Sequence, residues 1–196
     1  MPAPERSGGL RPFLVRLPLA LAGAVVIWYL LRAVYNPALC AVTQFVARTY
    51  EVPPASLIME RDDDALIGRS DLRADSGWLK ISLTQIQFNL VPFLALVLAL
   101  PRWFNGRAWR RVLIGLVVLA LSHVLALLWQ TKCYEAFSLG PWSRATYSDF
   151  ARNVYGGLRY FFDIPVTFTL PLLLWVWAYP ERVFALAGMP APAAKR

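Results

Sequence analysis

The chain has 196 residues, 58% of them hydrophobic and only 16% charged, with a net charge of +8. Soluble domains are roughly 45–50% apolar and about 25% charged, so one small soluble core cannot hide this much apolar surface, and a bilayer is the expected environment. The basic residues bracket long apolar runs instead of gathering on a polar domain, which reads as membrane topology and argues against nucleic acid as a partner.

Residues 1–16, with Arg6, Arg11, Arg16, Pro2, Pro4, Pro12 and Gly8-Gly9, read as a loosely ordered basic tail. The run 17–35 is apolar apart from Arg32. At 1.5 Å per residue it reaches about 28 Å, close to the hydrocarbon thickness of roughly 30 Å. A secretory leader also begins basic and then apolar, but its core is about 7–15 residues. This run is longer and closes on Trp28, Tyr29, Arg32 and Tyr35 as interfacial anchors, so a retained first span is expected.

Residues 36–82 form the one substantial polar stretch. Asn36-Pro37 reads as a turn, and Leu39, Val42, Phe45 and Val46 recur at helical spacing, which predicts an amphipathic interfacial helix over 38–50. Pro53-Pro54 stops it. Leu57-Ile58-Met59 and the stretch from Trp78 to Leu83 read as two short strands around an acidic, turn-rich segment, Asp62-Asp63-Asp64 to Gly77. The acidic run offers carboxylates to calcium but lacks the loop pattern of a calcium hand, so a solvated turn with Arg61, Arg69 and Arg73 nearby is favoured.

A second span is expected at 83–101, followed by an Arg-rich connection at 102–111 around an Asn105-Gly106 turn. The third span covers 112–130, a second polar segment 131–160, and a fourth span 161–179, interrupted by Pro165 and Pro171. A tail at 180–196 ends in Lys195-Arg196. The N-terminal tail carries three basic residues, the 102–111 loop four and the C-terminal tail three, whereas 36–85 carries five basic against seven acidic residues. The positive-inside rule then places both termini in the cytoplasm and both polar segments outside, which in a bacterium means the inner membrane and the periplasm. The expected class is a membrane α-helical protein: a four-transmembrane-helix bundle with a small extracytoplasmic β-containing segment between spans one and two.

Several side chains invite a chemical reading. His123, after Ser122 in the third span, is an ionisable group at membrane depth. With no carboxylate nearby in the membrane, a packing hydrogen bond to another helix is the preferred reading. Cys40 and Cys133 both fall outside in this topology, where an oxidising compartment permits a disulfide; two unpaired small apolar residues are the commoner outcome. Arg159 and Asp163 lie four apart at the start of span four with Arg152 a further interval back, and Gln85 and Asn89 open span two on the same side. No Walker, zinc-protease, nucleophile-elbow or metal-spaced pattern is present, so neither a catalytic set, a metal nor a cofactor is expected.

The single first span, the strand-bearing outer segment, Phe88-Asn89-Leu90 to Pro101 with its Arg-rich turn, and Gly157 to Pro165 leading to Leu172-Leu173-Leu174-Trp175 resemble the exosortase H-associated membrane proteins of bacteria. The resemblance implies a non-enzymatic accessory or scaffold that assists an exosortase-like membrane protease or transpeptidase in sorting exported proteins, with the lipid bilayer as its other partner. It carries over no catalytic residue. The rival expectation is a small membrane enzyme or lipid-handling protein that sets Arg152, Arg159, Asp163 and the outer amides around an anionic headgroup.

Overall fold

Leu and Ala dominate the first apolar run, and both favour helix. In the computed structural model, which describes residues 10–72, 78–101, 103 and 108–189, they form one helix, α1, Leu10–Tyr50. Its 41 residues extend about 60 Å, twice the hydrocarbon thickness. The turn expected at Asn36-Pro37 does not form. An Asn that starts a turn bonds its own backbone, but the buried Asn36 side chain instead accepts from Gln87 Nε2 at 2.6 Å and donates to Asp63 Oδ1 at 3.0 Å. The separate interfacial helix expected at 38–50 is therefore the continuation of α1. Its buried side is Leu39, Cys40, Thr43 and Ala47, while Val42 and Phe45 are exposed.

Three antiparallel strands follow as a meander, β1 Ser56–Arg61, β2 Asp64–Arg69 and β3 Leu79–Ser82. The middle strand lies in the segment read from sequence as an acidic turn. The turn itself is only Asp62-Asp63, both at positive φ (54° and 63°), closing the Arg61–Asp64 pair. Two residues at positive φ match the twist of a hairpin, and Asp63 is held there by Arg32 Nη1 at 2.8 Å as well as by Asn36. Alternation puts Ile58, Ala65, Ile67, Leu79 and Ile81 on one face, packed with Leu39, Cys40, Leu83 and Leu127. The other face bears Leu57, Met59, Leu66 and Lys80. Gly68 leaves room there for the Trp78 indole, which a Cβ would meet at 2.9 Å.

The segment expected as span two is a short helix, α2 Leu83–Gln87, and a second one, α3 Leu90–Ala99, separated at Phe88-Asn89. Next come α4 Ala108–Ser138, α5 Pro141–Thr146, α6 Asp149–Phe161, a π-helical turn Phe162–Val166, α7 Thr167–Ala178 and α8 Pro180–Leu186. Helix α4 runs eight residues past the expected end of span three, and the fourth apolar run is prefixed by α6, so the 131–160 segment is itself largely helical. Pro165 falls in the π turn, where Thr167 Oγ1 donates to Phe162 O at 2.9 Å.

Among the described residues, three helices are long and apolar enough to cross a membrane: Leu10–Tyr50, Ala108–Ser138 and the continuous run Asp149–Ala178. The apolar stretch Leu83–Ala99 is shorter. The chain divides into two compact units. One, within 10–28, 89–119 and 169–189, centres on Phe93, Val97, Leu119 and Trp175, with Phe13 stacked on Trp175 at 5.8 Å. The other, within 29–88 and 120–168, contains the sheet and every group of the candidate site. The Ser76-Gly77 turn, Arg102, Asn105-Gly106 and Arg107 of the Arg-rich loop, and the outer tail residues with Arg6, Lys195 and Arg196, lie outside the described residues.

Candidate functional site: a buried ionic clasp and an adjoining cleft

Antiparallel register sets Ser56 opposite Arg69, and both side chains reach the same acceptor. Glu135, on the last turn of α4, is fully buried; Glu135 Oε1 accepts from Arg69 Nη1 at 2.9 Å, and the single Ser56 hydroxyl proton is shared between it, at 2.9 Å, and Glu51 Oε1, at 2.5 Å. Glu135 Oε2 accepts from Lys132 Nζ at 2.6 Å and from Tyr147 OH at 2.9 Å. Lys132 also donates to Glu51, the residue after α1, which accepts from Ser56 N at 2.9 Å and Ala55 N at 3.2 Å. Arg69 completes the set with a two-pronged bond to Asp71, at 2.9 and 2.7 Å, and its guanidinium lies 4.4 Å from the Trp142 ring centre.

A buried ion costs several kcal/mol in lost hydration unless partners satisfy it. Here each charge has an opposite partner and each carboxylate several donors, with side-chain exposure of 8% or less at Glu51, Arg69, Lys132 and Glu135. Burial alone would push the Glu51 carboxyl up, but the hydrogen bonds from Lys132 and Ser56 outweigh it and hold it below its ordinary value. For Arg69, burial is likewise overcome by Asp71 and Glu135, which raise its pKa. Burial and the Glu135 charge push the Tyr147 phenol well above its ordinary range, so it stays a donor. Gly140, at φ 62°, turns the chain after α4 so that Ser143 donates to Glu135 O at 2.6 Å and accepts from Leu139 N at 3.0 Å. The arrangement ties the end of α1, the sheet, the end of α4 and α5 into one clasp.

Beside it opens a cleft of about 670 Å³, lined by β3, the start of α2, the last turns of α4 and the region 156–163. It brings together Gln85, Arg159, Asp163 and Cys133 from the sequence-derived candidates. Asp163, on the π turn, accepts from Gln130 Nε2 at 2.7 Å and lies 3.4 Å from Arg159 Nε. The other two candidates lie elsewhere. Arg152 pairs with Asp149 at 3.5 Å and stacks 4.8 Å from the Phe137 ring, and Asn89 is buried at the start of α3 in the other unit.

Cys40 and Cys133 are free and buried. The disulfide weighed from the sequence is not formed: Cys40 packs in the apolar cluster under the sheet, while Cys133 lines the cleft 4.0 Å from Arg159 Nη1. His123 is buried, its Nδ1 2.7 Å from Tyr35 OH with the rings edge to face, and Ser122 beside it is buried too. The acidic run is engaged in ion pairs, Asp63 with Arg32 and Asp64 with Lys80, and no metal-holding group of His, Cys, Asp and Glu occurs among the described residues.

Sequence reasoning missed the clasp. The available signal was the pair Lys132 and Glu135 directly after an apolar run, two charges that a helix end would bury or solvate. Their partners Glu51, Ser56 and Arg69 lie 66 to 81 residues away, beyond any local pattern. No family model, curated protein or solved structure matches the chain.

Proposed function

We propose that this is an integral membrane accessory or scaffold protein, non-enzymatic, of the bacterial inner membrane. It crosses the membrane four times, with the Leu83–Ala99 segment as the shortest crossing, and both termini lie in the cytoplasm. Its clasped sheet stands on the outer side and engages an exosortase-type sorting enzyme. The orientation rests on the density of basic residues in the tails and the 102–111 loop.

The observation that carries the scaffold reading is the clasp itself. A two-stranded hairpin is marginal in water, yet here a three-stranded sheet is fixed to the spanning helix α4 through Arg69, Ser56 and Glu135. Rigid support of this kind suits a surface that must keep its shape for a partner, because preorganisation lowers the ordering cost of association. The face turned away from the clasp offers Leu57, Leu66 and the half-exposed Met59.

The test is co-purification, after mild solubilisation, with a co-expressed exosortase-type enzyme from the same genome. Wild-type protein is expected to retain the enzyme and Met59→Asp to release it while staying inserted. Recovery of the wild-type protein alone, or equal retention by Met59→Asp and by a chain lacking 56–82, contradicts the reading.

A further inference from the structure

The cleft beside the clasp holds a loosely paired cation. Arg159 is half-exposed, and its guanidinium makes only a long 3.4 Å contact to Asp163 through Nε and a 4.0 Å contact to the Cys133 thiol through Nη1; Nη2 has no partner. Gln85, exposed on α2, lines the same cleft. Asp163, oriented by Gln130 at 2.7 Å, keeps its charge but meets only Nε of Arg159, so the Nη donors of that guanidinium are what the cleft offers an anion. Phe137 and Tyr160 are exposed along the same rim.

The level of the cleft in the chain matters as much as its charge. Its floor is the last turns of α4, just beyond the apolar run, and its wall is the segment that enters the fourth apolar run at Ile164. Both are positions where a spanning helix passes from hydrocarbon to headgroup, the zone that aromatic side chains favour. A guanidinium there meets phosphate oxygens in a geometry that its planar donors match.

We propose that this cleft binds the phosphate of a membrane phospholipid, with Arg159 donating to the phosphate oxygens, the Gln85 amide donating beside it, and the acyl chains leaving past Phe137 and Tyr160. The inference rests on the membrane-spanning reading and not on the accessory role, since it needs no protein partner. It also divides the outer polar residues: Arg159 and Gln85 belong to the site and Arg152 does not.

The test uses the full chain purified in mild detergent and titrated with short-chain phosphatidylglycerol, with diacylglycerol of the same chain length, and with inorganic phosphate. Phosphatidylglycerol is expected to bind, diacylglycerol to bind at least about fivefold more weakly, and millimolar inorganic phosphate not to displace the lipid. Arg159→Gln should weaken phosphatidylglycerol about fivefold. So should Gln85→Glu, an exposed position where the change adds a repelling carboxylate without disturbing the fold. Arg152→Gln should leave binding unchanged. Equal binding of diacylglycerol shows that phosphate is not recognised and overturns the proposal. Displacement by inorganic phosphate marks a free-anion site and also overturns it. Unaltered affinity in both Arg159→Gln and Gln85→Glu, or equal weakening by Arg152→Gln, overturns the assignment of the cleft.

Discussion

Arg69 Nη1 lies 2.9 Å from Glu135 Oε1, a contact between the end of a strand and the end of the long apolar helix α4, 66 residues apart in sequence. Glu135 is fully buried and Arg69 nearly so. At that depth the pair holds position better than it adds net stability, because desolvation consumes most of the Coulombic gain. Losing Glu135 is another matter, since Ser56, Arg69, Lys132 and Tyr147 all donate to its carboxylate and Arg69 and Lys132 are left with Asp71 and Glu51 alone.

His123 meets Tyr35 across two helices, with the rings edge to face. Its bond with Tyr35 is 2.7 Å, and interhelical hydrogen bonds in membranes average about 0.6 kcal/mol. His123→Leu and Tyr35→Phe are each expected to leave the protein inserted and to show a coupling of about that size in a double-mutant cycle of thermal or denaturant unfolding. Loss of partner retention at normal abundance in His123→Leu alone would assign the histidine a functional role.

Acid should loosen the clasp. Glu51 and Asp71 are both held below their ordinary values, Glu51 by Lys132 and Ser56 against the opposing effect of burial, Asp71 by Arg69. A depressed carboxyl stabilises the fold above its unfolded value and loses that contribution as the pH falls through its lower folded value. The thermal midpoint in detergent is therefore expected to be flat between about pH 5 and 8 and to fall below about pH 4. Glu51→Gln should have a lower midpoint at neutral pH and a shallower acid fall. An acid fall of unchanged steepness in that variant would remove Glu51 from the clasp.

Orientation is open to direct labelling. In a chain with Cys40 and Cys133 replaced by Ser, a cysteine at the exposed Asp62 should react with an impermeant thiol reagent in intact cells. A cysteine at Arg110 should react only after permeabilisation. The reverse pattern would invert the topology.

The apolar runs, the Pro53-Pro54 stop and the outer strands at Leu57-Ile58-Met59 and Trp78 to Leu83 were legible in the sequence because each is a local pattern. The central strand was not. Asp64 and Arg69 at its ends and Asp62-Asp63 before it look like turn chemistry, and the hairpin uses two aspartates at positive φ where glycine or asparagine is the usual signal. The continuity of α1 through Asn36-Pro37 was hidden for a different reason, since the Asn36 side chain is engaged by Gln87 and Asp63, both remote in sequence. Of the candidate polar residues, the sequence placed Gln85, Arg159 and Asp163 on one side of the membrane, and the fold brings these three to one cleft. Lys132 and Glu135 drew no notice because their meaning lies in Glu51, Ser56 and Arg69, which only the folded chain supplies.

The central claim is that buried charge holds a folded sheet to the long apolar helix α4, and backbone hydrogen exchange on the protein reconstituted in lipid tests it most directly. Amides of Ser56–Arg61, Asp64–Arg69 and Leu79–Ser82 are expected to be protected in the wild type. In Glu135→Ala they should lose protection about a hundredfold, the equivalent of about 3 kcal/mol for four buried donors left short of an acceptor, while the apolar centre of α4 stays protected. Strands that exchange as a free coil in the wild type, or that keep full protection in Glu135→Ala, would contradict it.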